Sequence, residues 1–398
     1  MTAALLCLVG MALVVAIQGL AASALFRLKR RGTGSIRAVE DLPTVSIIKP
    51  LCGLDAALEE NLESFYGQDY PAFYEIVFSF ASAEDPAFPV ARRVADRHPN
   101  VPTVFVVDPR EPGLNSKVNR LAFGLARARG SAFLLADGDV RVSPDFLTRA
   151  ASLLSEPAVG LVSHLFRAVP GEALGARIEA LYLDGILRPG TAALALLLGR
   201  PCVVGKAILL RRAAFRAIGG LSVLRDHLAE DFLLGELVQA AGYRVVLSPY
   251  EIETRLGARR VSVAWQRHRR WAILRRRLGG AGYAAEALSS PVPFALGAIG
   301  ASSGSPAVVA AALFLWAIRV AVEARVLSRS GERIGAADLA AMPLRDLAAA
   351  ALFWAGLLGR RTSWRGRRLR VGPRTLLLPS SGKRPAAAPL SPSFAERG

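Results

Sequence analysis

Leu134-Leu135-Ala136-Asp137-Gly138-Asp139-Val140 is an apolar run that stops in two carboxylates separated by one glycine. The run reads as a buried strand, and its end reads either as an ion site or as an ordinary acidic turn. Residues two apart on a strand point to the same side, so Asp137 and Asp139 can converge on one hard cation while Gly138 lets a ligand approach the backbone. Oxygen-only ligands suit Mg²⁺ or Mn²⁺, which usually take one or two protein carboxylates plus substrate phosphates. A phosphate-bearing substrate is the expected companion.

Working outward, the same plan repeats upstream. Val45-Ser46-Ile47-Ile48-Lys49-Pro50 is a β-branched run closed by proline, and strands are also predicted over 74–80, 101–107 and 131–136. Helices are predicted over 56–66, 89–98 and 117–128. This alternation predicts an α/β fold with a parallel sheet covered on both faces and ligands at the carboxyl ends of its strands. Three polar clusters fall at such ends: the loop after Pro50, Glu84-Asp85-Pro86, and Asp137-Gly138-Asp139.

Downstream, residues 172–198 alternate charged and apolar residues and then turn Leu/Ala-rich, which suits a segment on the membrane surface or a buried helix. Residues 203–210 read as another strand, and Gly219-Gly220 as a turn. Leu228-Ala229-Glu230-Asp231-Phe232 opens a helix whose acids either favour the helix dipole or carry chemistry. In Trp265-Gln266-Arg267-His268-Arg269-Arg270-Trp271, Arg267, Arg270 and Trp271 share one helical face. Two guanidiniums there can meet phosphate oxygens while the indole packs or stacks; the alternative is a basic belt before a membrane span.

The chain has 398 residues, of which 52% are hydrophobic, and its hydrophobic residues are unevenly distributed. No charge occurs in residues 1–26, and Arg27, Lys29, Arg30, Arg31 and Arg37 follow at once. This is the pattern of an uncleaved membrane anchor with its N-terminus outside and the following residues in the cytoplasm. Residues 287–318 are also uncharged and are broken by Ser302-Ser303-Gly304-Ser305-Pro306, as a hairpin between spans would be. Residues 319–333 return cytoplasmic charge. The stretch 347–359, flanked by Arg345 on one side and by Arg360, Arg361, Arg365, Arg367 and Arg368 on the other, is short for a crossing and reads as re-entrant or interfacial. From about residue 379 the chain is Pro/Ser/Ala-rich and is expected to be disordered. Cys7, Cys52 and Cys202 are too scattered for a disulfide framework or a zinc site, in keeping with a reducing compartment. The net charge of +18 brackets the hydrophobic stretches and forms no stripe interleaved with aromatics, so anionic headgroups, not nucleic acid, are its expected partner.

As an ordered set these motifs resemble a membrane-anchored inverting glycosyltransferase of the nucleotide-sugar GT-A fold, of the family 21 and family 2 type, and more closely the ceramide glucosyltransferases. The resemblance runs from Val45-Ser46-Ile47-Ile48-Lys49-Pro50-Leu51 through Glu84-Asp85-Pro86 and Gly113-Leu114-Asn115-Ser116-Lys117-Val118-Asn119 to Cys202-Val203-Val204-Gly205. It continues in Gly219-Gly220-Leu221, Ala229-Glu230-Asp231, the Arg267 to Trp271 segment and Ser363-Trp364-Arg365. It implies a mixed sheet covered by helices, with transmembrane helices at both ends. The implied order is an anchor at 1–27, a cytoplasmic catalytic domain at 40–280, membrane segments at 285–360 and a basic, then disordered tail at 361–398. The membrane would be a bacterial inner membrane or its equivalent.

By the same resemblance Asp85 contacts the nucleoside and Lys117 the uridine diphosphate. Asp137 and Asp139 hold the nucleotide and a divalent metal, Mn²⁺ or Mg²⁺; Arg267, Arg270 and Trp271 bind substrate. Asp231 is the general base, with Glu230 as its rival. The implied reaction moves a hexose, glucose by first choice, from a UDP-sugar to the hydroxyl of a membrane lipid, ceramide by first choice. The alternatives are a hopanoid or other polyol lipid with a UDP-N-acetylglucosamine donor and, outside enzymes, a vestigial membrane scaffold. Two departures stand out. Arg188-Pro189 occupies the place of a His-Pro in the animal enzymes, and Asp139 replaces a non-acidic residue there.

Overall fold

Eight strands build the main sheet: β1 (Val45–Pro50), β2 (Tyr74–Phe80), β3 (Thr103–Val107), β4 (Ala132–Ala136), β5 (Val140–Arg141), β6 (Val159–Pro170), β7 (Ala207–Arg211) and β8 (Arg244–Gly257). The computed structural model describes residues 1–32, 42–200, 202–331, 334–364 and 367–379. Arg37, Arg365 and the expected disordered stretch from residue 380 lie outside the described residues.

The spatial order is β3-β2-β1-β4-β7-β6-β8-β5. β1 to β4 form the expected parallel half, with Ile47 opposite Ile76 on one side and Leu134 on the other. Every residue of β1 and β4 is buried, as continuous apolar runs covered on both faces should be. β7 runs antiparallel to β4 and β6 antiparallel to β7, which makes the sheet mixed and departs from the wholly parallel sheet that strand–helix alternation alone predicts. β6 and β8 were not read from the sequence: His164 and Arg167 interrupt one apolar run and Ser248-Pro249 the other.

The main core lies in this sheet, around Ile47, Phe65, Phe78, Leu134 and Leu209. The helices Leu58–Tyr66, Ala87–Arg97 and Ser116–Leu125 fall on the predicted helical stretches to within a few residues. Within the stretch read as the basic part of a tail, β9 (Arg361–Trp364), β10 (Arg367–Val371) and β11 (Leu377–Pro379) form a small antiparallel sheet.

The chain divides into two compact units. One comprises Arg31–Phe166, Pro201–Arg255 and Arg361–Gly398, and the other Met1–Arg30, Arg167–Arg200 and Leu256–Arg360. Among the described residues four helices are long and apolar enough to cross a membrane: Thr2–Arg31, Leu174–Leu197, Pro306–Ser328 and Ala336–Leu358. By that length and composition the chain is an integral membrane protein.

Two expectations change here. The stretch read as re-entrant or interfacial belongs to a 23-residue helix that begins at Ala336. The reason is Arg345, taken as a flanking charge, which is 0% exposed and pairs with Glu323 and with Asp346 at 3.0 Å. Arg319 joins the same network, 2.8 Å from Asp346. Charges that satisfy one another can lie inside a span without ending it. The break at Ser302–Ser305 occurs as expected, but the helix before it, Val292–Ala301, has only 10 residues.

Candidate active site

β4 delivers Asp137 to the carboxyl end of the sheet, where its backbone N–H donates to the Lys206 carbonyl at 3.1 Å. Its own carbonyl accepts from Lys49 Nζ at 2.9 Å. Lys49 is fully buried at the end of β1, with its ammonium 3.7 Å from the centre of the Phe65 ring. Burial pulls its pKa down to about 7, against the raising effect of Asp137, Asp139 and Asp55.

Lys117 comes from the first turn of the helix Ser116–Leu125, which is started by a side chain. The Asn115 oxygen accepts from the N–H groups of Lys117 and Val118 at 3.0 and 3.2 Å. The Asn115 amide nitrogen donates to the His227 carbonyl at 2.7 Å and to Glu230 Oε2 at 3.1 Å, which ties this helix start to the loop before Asp231. Lys117 Nζ then lies 2.8 Å from Asp137 Oδ1 and 3.3 Å from Glu230 Oε1, and donates to the Gly205 carbonyl at 3.0 Å. Burial works to lower its pKa, but the carboxylates of Asp137, Glu230 and Asp231 outweigh burial and hold it above the usual lysine value. Lys117 is therefore a fixed positive charge between acids that are far apart in sequence.

Asp231 lies in the first turn of the helix Glu230–Ala240 and accepts the N–H of Phe232 at 2.8 Å. Burial, with the Glu230 carboxylate adding to it and Lys117 opposing, pushes its pKa up to about 6. Gly205 closes on it from the other side: a Cβ at that position would come within 2.6 Å of Asp231 Oδ2. The loop before Asp231 is held by the end of the chain. Leu228 and Ala229 donate their N–H groups to the Thr375 carbonyl and hydroxyl at 3.0 and 3.2 Å, and Leu377 N–H donates to the Asp226 carbonyl at 2.7 Å.

Asp137, Lys117, Gly205, Glu230 and Asp231 line one pocket with apolar walls from Leu121, Leu135 and Leu234. Three of the expected site residues thus meet. Asp85 has a different position: its Oδ1 accepts the N–H groups of Gly53 and Ala87, both at 2.9 Å, so it joins the loop after β1 to the helix after β2. Asp137 and Asp139 do converge on one cation, and it is the ammonium of Lys206, 2.5 Å from both oxygens of Asp139 and 3.5 Å from Asp137 Oδ2. In the other unit, Arg267 stacks its guanidinium on Trp271 at 4.8 Å and lies 3.7 Å from the buried Glu179, while Arg270 is partly exposed. His268 is buried against the same Glu179, at 3.3 Å.

Among the described residues no group of three or more His, Cys, Asp or Glu is arranged to hold a metal ion. Asp137 keeps 26% of its side chain exposed and lines the pocket, so it can offer an oxygen to an ion whose other ligands are phosphate oxygens and water, which is the habit of Mg²⁺ and Mn²⁺. Asp139 has both oxygens on the Lys206 ammonium, whose positive charge disfavours an ion there. The residues fit an ion shared between Asp137 and a bound diphosphate.

Sequence reasoning missed Lys49, Lys206, Gly205 and the bracing role of Thr375. The signal for the two lysines was present, since each sits inside an otherwise apolar strand-like run, where an ion must have a partner.

The fold resembles that of the mannosyltransferase PcManGT from Pyrobaculum calidifontis, solved with GDP-Man and Mn²⁺. The TM-score is 0.50 at 19% sequence identity, over 88% of this chain and 98% of that one. Ceramide glucosyltransferase 1 of Caenorhabditis elegans is 28% identical over 235 residues, 59% of this chain and 50% of that protein. Ceramide glucosyltransferase 3 of the same animal is 28% identical over 277 residues, 68% and 59% of the two chains. The chain spans about half the length of the curated relatives it matches. The sequence profile described as glycosyl transferase family 21 matches residues 7–377, which include every pocket residue named above and Thr375. The chain belongs to glycosyl transferase family 21.

Proposed function

We propose that the chain transfers a hexose, glucose in the first instance, from a UDP-sugar to the hydroxyl of a membrane lipid, ceramide in the first instance, by a single displacement that inverts the anomeric centre. The observation that carries this reading is the pocket shared by Asp137, Lys117 and Asp231, which puts a carboxylate with a raised pKa beside a fixed ammonium and a second carboxylate. Family membership supports the chemistry, and the names of the worm relatives support the lipid acceptor.

Asp231 is the base that takes the proton of the acceptor hydroxyl. A carboxylate with a pKa of about 6 is largely ionised at neutral pH, yet more basic than an exposed aspartate. Lys117 binds the diphosphate and offsets the negative charge that grows on the leaving group as the glycosidic bond breaks. A divalent ion held by Asp137 adds Lewis-acid stabilisation of the same leaving group when bound. Glu230, already committed to Lys117 and Asn115, holds Lys117 in place. Asp85 shapes the loop beside the nucleoside through its bonds to Gly53 and Ala87. Arg267, Arg270 and Trp271 bind phosphate or the lipid headgroup.

In this reading residues 1–27 anchor the chain, the residues around the mixed sheet form a catalytic domain on the cytoplasmic side, and the apolar helices between 285 and 360 bring the acceptor. The juxtamembrane residues Arg27, Lys29, Arg30 and Arg31 support that orientation. The test is UDP release by the purified protein in detergent given UDP-glucose, Mn²⁺ and ceramide. Release only with a hopanoid polyol, or only from UDP-N-acetylglucosamine, would move the substrate assignment; no release with any pair would overturn it.

A further inference from the structure

Asp139 and Lys206 form a buried ion pair at the rim of the site that the mechanism above does not use. Lys206 precedes β7, whose register sets Ala207 opposite Ala136, so it stands beside the end of β4. Its carbonyl accepts the Asp137 N–H at 3.1 Å while its ammonium reaches both acids of the Asp137-Gly138-Asp139 turn. The pair is almost sealed, with side chains 8% and 10% exposed. A single ammonium 2.5 Å from both oxygens of Asp139 takes one lone pair on each and sets a positive charge where a metal ion would approach.

We propose that Lys206 is a built-in cation that withholds Asp139 from the metal site, so that a divalent ion is held through Asp137 alone and binds firmly only when a nucleotide diphosphate supplies further oxygens. This deepens the nucleotide-sugar reading and rests on it. Two free carboxylates on one turn would chelate the ion in the absence of nucleotide. One carboxylate, itself shared with Lys117 at 2.8 Å, holds the ion weakly, and the diphosphate completes the ligand set. Metal and nucleotide then bind with positive coupling, each raising the affinity for the other by the same factor. The Lys206 ammonium cancels the charge of Asp139, so the pair brings no net charge to the pocket.

The decisive experiment measures Mn²⁺ binding by electron paramagnetic resonance, with and without UDP, for the full-length protein in detergent and its variants. Lys206→Met removes the ammonium from Asp139 and is expected to bind Mn²⁺ without nucleotide at least threefold tighter than wild type. Asp139→Asn leaves the ammonium to Asp137 and is expected to bind at least threefold weaker. The double variant keeps the net charge and the packing, so it stays measurable if a single variant unfolds, and it is expected to bind within about twofold of wild type. A double variant as weak as Asp137→Asn would make Asp139 a ligand and overturn the proposal, as would a folded Lys206→Met that binds no tighter. UDP binding by calorimetry separates the two levels: a wild type that binds no UDP overturns the nucleotide-sugar reading as well, whereas normal UDP binding with the wrong Mn²⁺ pattern overturns this inference alone.

Discussion

Replacing Asp231 by Asn should abolish transfer and at the same time make the protein more stable at neutral pH. In the native state Asp231 gives up its proton near pH 6, against 3.8 for an ordinary aspartate, chiefly because it is buried and next to Glu230. Between those values the native state holds a proton that the unfolded chain has lost, so stability falls as the pH rises from about 4 to about 6 and the full penalty remains above it. A displacement of about two pH units corresponds to about 3 kcal/mol, which the side chain's partial contact with solvent reduces to about 1–2 kcal/mol. An amide of the same shape escapes that penalty. Melting in detergent should therefore show Asp231→Asn several degrees above wild type at pH 7.5 and level with it at pH 4. Transfer should fall by about 10²-fold or more with UDP affinity unchanged. A variant that melts below wild type at pH 7.5, or keeps substantial turnover, would refute the assignment of Asp231 as a base with a raised pKa.

Three further outcomes follow from the same geometry. Lys117→Met removes the ammonium between Asp137 and Glu230, so UDP binding measured by calorimetry should weaken at least about tenfold, the two acids being left to repel one another. Thr375→Ala deletes the buried hydroxyl that accepts the Ala229 N–H, which should cost about 1–3 kcal/mol in melting experiments and lower kcat more than it raises KM for the sugar nucleotide. Lys49 loses its proton near pH 7 in the native state and near 10.5 when unfolded. The native state therefore binds fewer protons in that window and stability should rise with pH from 7 to 9; Lys49→Met should flatten the rise.

The parallel half of the sheet was legible because its strands are buried on both faces and read as unbroken apolar runs, such as Phe133-Leu134-Leu135-Ala136. In the antiparallel half β7 was legible too, but β6 and β8 were not, since they carry polar residues on a face that the fold later covers, including the fully buried His164, Ser248 and Thr254. The meeting of Asp137 with Asp231 was expected from the motifs as an ordered set. What joins them is Lys117, whose reach to Glu230 no local pattern shows. The Asp137-Gly138-Asp139 turn gave its geometry away but not its cation, because Lys206 is 67 residues from Asp139 and only the antiparallel register of β4 and β7 brings it there. Arg345 misled for a similar reason: a charge in an apolar run marks an end only if it has no partner, and Glu323, 22 residues away on another helix, becomes its partner once the helices pack.

The most direct test is mass spectrometry of the lipids of a host that makes no glycolipids, supplied with ceramide and expressing either the wild-type chain or Asp231→Asn at equal levels. A hexosylceramide of β configuration from the wild type, absent with the variant, is the predicted result. The same product from both chains, or none from a wild type that is folded and binds UDP, would contradict a sugar-transfer pocket built on Asp137, Lys117 and Asp231.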